Sequence, residues 1–132
     1  MATIYKEIAM NVASEKAWAA LKDFGAVHEK LAPGFLTDCK VEPGARVVTF
    51  FNGATAREVL VGMDEKAKRL AYTVVGGRAT HHNASAQIVD NGDGRTRFIW
   101  ITDVLPDEFA NVIEPMMNKG AEVMKATLER KP

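Results

Sequence analysis

The chain has 132 residues, a length that suits one domain, 1–132, with a single core, and its 17 lysines and arginines balance its 17 aspartates and glutamates. That balance offers nothing to nucleic acid or any other polyanion, and the single Cys39 leaves no internal disulfide. No run approaches the ~18 apolar residues of an integral membrane segment, and Met1 to Val12 lacks the apolar core of a signal peptide, so a cytoplasmic protein is expected. In chain order, residues 3–12 alternate as a half-buried strand does, with Ile4, Ile8, Met10 and Val12 on one side. Ser14 is placed to cap a short helix over 15–23 whose Trp18 and Leu21 face inward. Gly25 interrupts it, and a second short helix over 26–31 stops at Pro33-Gly34. Six strands follow, at 35–42, 45–51, 55–63, 69–75, 80–89 and 96–104. Asn52-Gly53 reads as a two-residue hairpin turn; Pro43-Gly44, Asp64 to Lys68, Gly76-Gly77 and Asn91 to Gly94 supply the other turns.

The last element is the longest. Residues 106–130 carry Phe109, Val112, Ile113, Met116, Met117, Gly120, Met124 and Leu128 at three- and four-residue steps, one apolar stripe of a helix. Pro106 suits the first helical position. Asp107 and Glu108 at the start and Lys125, Arg130 and Lys131 near the end complement the helix dipole. Pro115 removes the bond to the Asn111 carbonyl, so a kink or break is expected there. Short turns make the strands an antiparallel meander. The expected fold is α+β: a seven-stranded antiparallel sheet curled around a long C-terminal helix, with two short helices after the first strand.

A curled sheet leaves space above its concave face, so the direction of each side chain matters. Symmetric closure of the last hairpin pairs Ala84 with Trp100 and Ala86 with Phe98, and turns His82 inward opposite Thr102. Pairing Leu60 with Tyr72 turns Glu58 inward, as a buried carboxylate with a raised pKa or one paired with an arginine. A one-residue slip would reverse each assignment, exchanging Arg57 for Glu58 and His81 for His82.

The element order, together with Asn11 to Trp18, Leu70 to Gly77 and Asp93 to Trp100, resembles the START-related helix-grip superfamily (SRPBCC), which includes polyketide cyclase/dehydratase-like proteins. The resemblance implies the fold and a pocket between sheet and helix. It also puts Glu58 near a position where relatives place an acidic pocket residue. The gate and latch motifs of the plant hormone receptors in that group are not reproduced here.

The resulting expectation is a hydrophobic small-molecule ligand, lipid-like, aromatic or polyketide-like, held by Glu58, Leu60, Tyr72, Val74, His82, Ala84, Phe98, Trp100, Thr102, Ile113, Met116, Met117 and Gly120. The alternative is a cyclase/dehydratase-type enzyme in which Glu58 or His82 acts as general base, the two titrating as a coupled pair. The bland readings are a charged rim for Arg57-Glu58 and plain core for Trp100 and the methionines. His81 and His82 are adjacent on a strand and cannot chelate one metal together. No zinc spacing, phosphate loop or dinucleotide fingerprint is present, so no metal and no cofactor is expected. A homodimer is left open.

Overall fold

The computed structural model describes residues 1–130; Lys131 lies outside the described residues. Seven strands form one antiparallel sheet in the order β1-β7-β6-β5-β4-β3-β2. They are β1 (Ala2–Met10), β2 (Leu36–Glu42), β3 (Ala45–Phe50), β4 (Thr55–Asp64), β5 (Arg69–Val75), β6 (His81–Asp90) and β7 (Thr96–Leu105). The connection from β1 to β2, at opposite edges of the curled sheet, carries helix α1 (Ser14–Lys22), a 3-10 turn at Phe24–Ala26 and helix α2 (Val27–Lys30). The long helix α3 (Ala110–Glu129) follows a 3-10 turn at Asp107–Phe109.

Alternation decides which face of each strand is buried. Ile4 and Met10 of β1, Leu70 and Tyr72 of β5, Ala84, Ala86 and Ile88 of β6, and Phe98, Thr102 and Val104 of β7 are all buried. The intervening residues mix polar groups such as Glu7, Arg69, Thr73, Asn83, Gln87, Arg97 and Asp103 with apolar ones such as Ile99 and Ile101, as a sheet with one solvated face allows. The main core gathers where α1, α2 and the C-terminal half of α3 meet this surface. Trp18, Leu21, Leu31, Phe35, Met124 and Leu128 pack there on Leu70, Ile88 and Phe98.

Local expectations are corrected at five places. Ser14 is the first residue of α1 rather than its cap; Ala13 takes the cap position, and the Ser14 hydroxyl donates to Asp90 Oδ2 at 3.2 Å. Pro106 is extended and precedes the 3-10 turn instead of starting the α-helix. The helix runs without a break through Pro115. The β3–β4 connection is longer than a two-residue turn: Thr49 pairs with Thr55, so five residues, 50–54, separate the last paired positions, the first of them Phe50 at the end of β3. In the β6–β7 hairpin, Ala84 stands opposite Thr102, Ala86 opposite Trp100 and His82 opposite Val104. That is two residues from the expected register, so every side chain keeps its face. Leu60 stands opposite Tyr72, followed by a bulge at Val61 before the Gly62–Ala71 pair.

Candidate functional site

The concave face of the sheet and the N-terminal half of α3 enclose a cavity of about 410 Å³. The two halves of α3 differ. Met117, Gly120, Met124 and Leu128 are buried, whereas Ile113 and Met116 are half-buried and Val112 is exposed; these last three line the cavity, together with Met117 and Met124. Phe98, Trp100, Leu70 and Val74 supply the apolar floor. Leu21, Val27, Leu31, Ala32 and Phe35 close the side nearest α1 and α2. The lining residues that are themselves exposed mark the mouth: Asn52, Ala54 and Thr55 from the β3–β4 loop, Gly77 and Arg78 from the β5–β6 loop, and Val112 from α3. Gly76 lies at φ +76°, a left-handed conformation that favours glycine. Two cations reach across aromatic rings at this end, Arg78 at 5.5 Å from the Phe109 ring and Lys119 at 4.4 Å from the Phe51 ring.

Within this apolar wall sits an ion pair. Arg46 of β3 and Glu58 of β4 stand directly opposite each other in register. Arg46 Nε donates to Glu58 Oε1 at 2.8 Å, with side chains only 5% and 10% exposed. Arg46 Nη1 donates to the Phe24 carbonyl at 3.0 Å, and the guanidinium lies 4.0 Å from the centre of the Phe24 ring. Burial raises the Glu58 carboxyl above its ordinary range, and the Arg46 charge and hydrogen bond oppose this without cancelling it. Next to the pair, the Tyr72 hydroxyl accepts a hydrogen bond from Trp100 Nε1 at 3.3 Å. Burial, reinforced by the Glu58 charge, raises the Tyr72 pKa and keeps it a neutral O–H.

His82 also lines the cavity. Burial lowers its pKa and the neighbouring His81 lowers it further, so the neutral imidazole is favoured. Its charge partners do not include Glu58, and Glu58 is bound to Arg46 instead. The expected Glu58–His82 pair is therefore replaced by Glu58–Arg46. His81 is exposed. Cys39 is half-buried, and burial pushes its thiol up, the opposite of an activated nucleophile.

Of the expected ligand-contact residues, Glu58, Tyr72, Val74, His82, Phe98, Trp100, Thr102, Ile113, Met116 and Met117 line the cavity. Leu60, Ala84 and Gly120 are not among its lining residues. Gly120 is where α3 touches the core most closely: a Cβ there would sit 3.0 Å from Phe35 Cε2 and 3.3 Å from the Trp100 ring. Arg46, Phe35 and Phe50 were not anticipated. Arg46 was legible only through the exact β3–β4 pairing, and the apolar lining carries no signal that separates it from core.

The sequence profile of a family described as "Polyketide cyclase / dehydrase and lipid transport" matches residues 1–130. No curated protein matches the chain by sequence. Among solved structures, an uncharacterised protein from Bacillus thuringiensis superposes with a TM-score of 0.86 at 15% identity, covering 98% of this chain and 100% of that one. A START superfamily protein from Mycobacterium smegmatis gives 0.71 at 15% identity, covering 96% and 98%. Truncated norcoclaurine synthase from Thalictrum flavum gives 0.72 at 18% identity, covering 98% and 94%. At these identities the likeness establishes a shared fold and nothing about ligand or reaction.

Proposed function

Since the chain belongs to the polyketide cyclase/dehydrase and lipid transport family, we propose that it binds an apolar small molecule, aromatic or lipid-like, in the cavity between the sheet and α3. The observation that carries this reading is the enclosed space of about 410 Å³, walled by aromatic and methionine side chains and interrupted by a few buried polar groups. Small-molecule sites have this size and this composition. Met116 and Met117 on the helix side add an adaptable surface, since an unbranched thioether repacks at little cost. Trp100 and Phe98 offer flat faces to an aromatic guest.

Ring-closing catalysis is the second reading. What favours it is His82, a cavity residue held toward its neutral, basic form. It stands second because Glu58 is engaged by Arg46 and does not orient His82. The test is a tryptophan-fluorescence titration with uncharged polycyclic aromatic probes, comparing the native protein with Ile113→Trp, which fills the half-open end of the cavity. Saturable binding that weakens at least about tenfold in Ile113→Trp is expected, the size of one lost well-packed contact. Absence of saturable binding by any probe, or equal binding by both proteins, would refute the cavity as the site. A probe consumed by the native protein and not by His82→Gln would move the second reading to first.

A further inference from the structure

Arg46 and Glu58 each keep one polar atom uncommitted. The guanidinium spends Nε on Glu58 Oε1 and Nη1 on the Phe24 carbonyl. Its Nη2, and the second carboxylate oxygen Glu58 Oε2, have no hydrogen-bond partner among the described residues, and neither is sealed inside protein. Both residues belong to the cavity wall. The wall therefore presents a donor beside an acceptor on a pair whose net charge is zero. The Tyr72 hydroxyl, which accepts from Trp100, has its own hydrogen free to donate alongside them.

A ligand must satisfy these atoms without unbalancing the pair. A carboxylate could accept from Nη2, but it would bring a second negative charge against Glu58 in a place nearly closed to water. Among the described residues no further buried arginine or lysine lines the cavity to balance it: Arg78, the other arginine of the wall, is exposed at the mouth. A cationic ligand meets the mirror-image problem beside Arg46. Desolvating an unbalanced charge is far more costly than desolvating a hydrogen-bonded neutral group. A carbonyl accepting from Nη2, with a neighbouring hydroxyl donating to Oε2, uses both free atoms and adds no charge.

Resting on the cavity as the ligand site, we propose that the Arg46–Glu58 pair is a charge filter that selects an uncharged apolar ligand bearing a carbonyl beside a hydroxyl and turns away carboxylates of the same shape, free fatty acids included. The pair thus determines specificity by presenting a neutral donor–acceptor edge rather than a cation.

The experiment uses two probes on one ring system, an ortho-acetylnaphthol and the matching ortho-hydroxynaphthoate, titrated at pH 7 into the native protein and into Glu58→Gln. The native protein should bind the neutral ketone at least about tenfold more tightly than the carboxylate, a floor, since burying an uncompensated charge costs far more than burying a hydrogen-bonded neutral group. In Glu58→Gln, where Arg46 is left uncompensated, the preference should shrink or reverse. Equal or tighter binding of the carboxylate by the native protein overturns the filter without any need for the variant. Rejection of both naphthalenes, while other apolar probes still saturate the cavity, overturns it too and leaves the cavity as a site. Rejection of every apolar probe removes the site itself, and the filter with it.

Discussion

A double-mutant cycle on the buried ion pair is the most direct test of how the site is built. Glu58→Leu leaves Arg46, 5% exposed, with one neutral acceptor, the Phe24 carbonyl. Arg46→Met leaves the Glu58 carboxyl without its cation in an apolar wall and also removes the guanidinium from the face of Phe24, 4.0 Å away. Stranding one member of a buried pair costs roughly 3–5 kcal/mol, a large share of the ~5–15 kcal/mol that holds a domain of this kind together. Over 132 residues, at ~2.1 cal/mol/K per residue, the loss corresponds to a melting temperature lower by about 11–18 °C. Arg46→Met/Glu58→Leu removes both charges and should stand within about 1 kcal/mol of the native protein, or above it. The two charges would then be coupled by about 5 kcal/mol or more. The sign of the pH dependence adds a check. Burial already raises the Glu58 pKa, and losing Arg46 raises it further. The folded state of Arg46→Met then holds a proton that the unfolded chain has released. Its stability is fullest below the ordinary carboxylate value and declines as pH rises through the raised one. Urea titrations of the four proteins at pH 5 and pH 7 read all of this. Single variants each losing under ~1 kcal/mol, with a double variant losing their sum, would show a pair worth no more than one on the surface and would refute the reasoning.

Two further outcomes follow from single positions. Gly120→Ala gains up to ~1 kcal/mol of helix propensity but sets a methyl 3.0 Å from Phe35 Cε2; urea midpoints should show near-cancellation, while Gly120→Val should lose ~1–3 kcal/mol by overpacking, and a fully stable valine variant would mean the ring yields freely. His82 has its pKa lowered from 6.5 by burial and then by His81, so the unfolded chain takes up the proton first as pH falls. Its contribution to stability is present above that value and is lost on acidification. Melting scans from pH 8 to pH 5 should show a steeper acid-side decline in the native protein than in His82→Gln, and parallel curves would mean that His82 titrates as if exposed.

How much of this was legible in the sequence turns on loop parity. Residues facing each other across an antiparallel pair share a face, so adding two residues to a loop keeps every side chain on its side and adding one reverses them. The β6–β7 hairpin closes through residues 91–95 rather than as anticipated, a register shift of two, and His82, Phe98, Trp100 and Thr102 still line the cavity. The β3–β4 hairpin shows the opposite case. A two-residue turn at Asn52-Gly53 would put Arg46 opposite Val59, whereas the odd loop 50–54 puts it opposite Glu58. The glutamate was therefore visible as an inward candidate through its pairing with β5, and its partner was hidden. Leu60, Ala84 and Gly120 show a second limit. Strand and helix periodicity fixes a side, but not which residues on that side face open space. That depends on how Phe35 and Trp100 fill the volume around Gly120.

The division along α3 explains why a site can exist here without undermining the fold. Gly120, Met124 and Leu128 are buried in the part of the helix that closes the core, and they carry much of what the helix contributes to stability. The N-terminal half buries less and is tied down from outside. Lys6 of β1 meets Glu114 at 2.8 Å, Arg78 lies over Phe109 and, one turn beyond the cavity methionines, Lys119 lies over Phe51. Partly exposed ion pairs and cation–aromatic contacts of this sort contribute on the order of 1 kcal/mol or less each. They are the contacts that can open and re-form while the core stays closed, since local opening costs least where little apolar surface is buried. Ile113 and Met116 therefore line the cavity from the part of the long helix that buries less apolar surface. The ion pair beneath them is set on two hydrogen-bonded strands, where it has no such freedom.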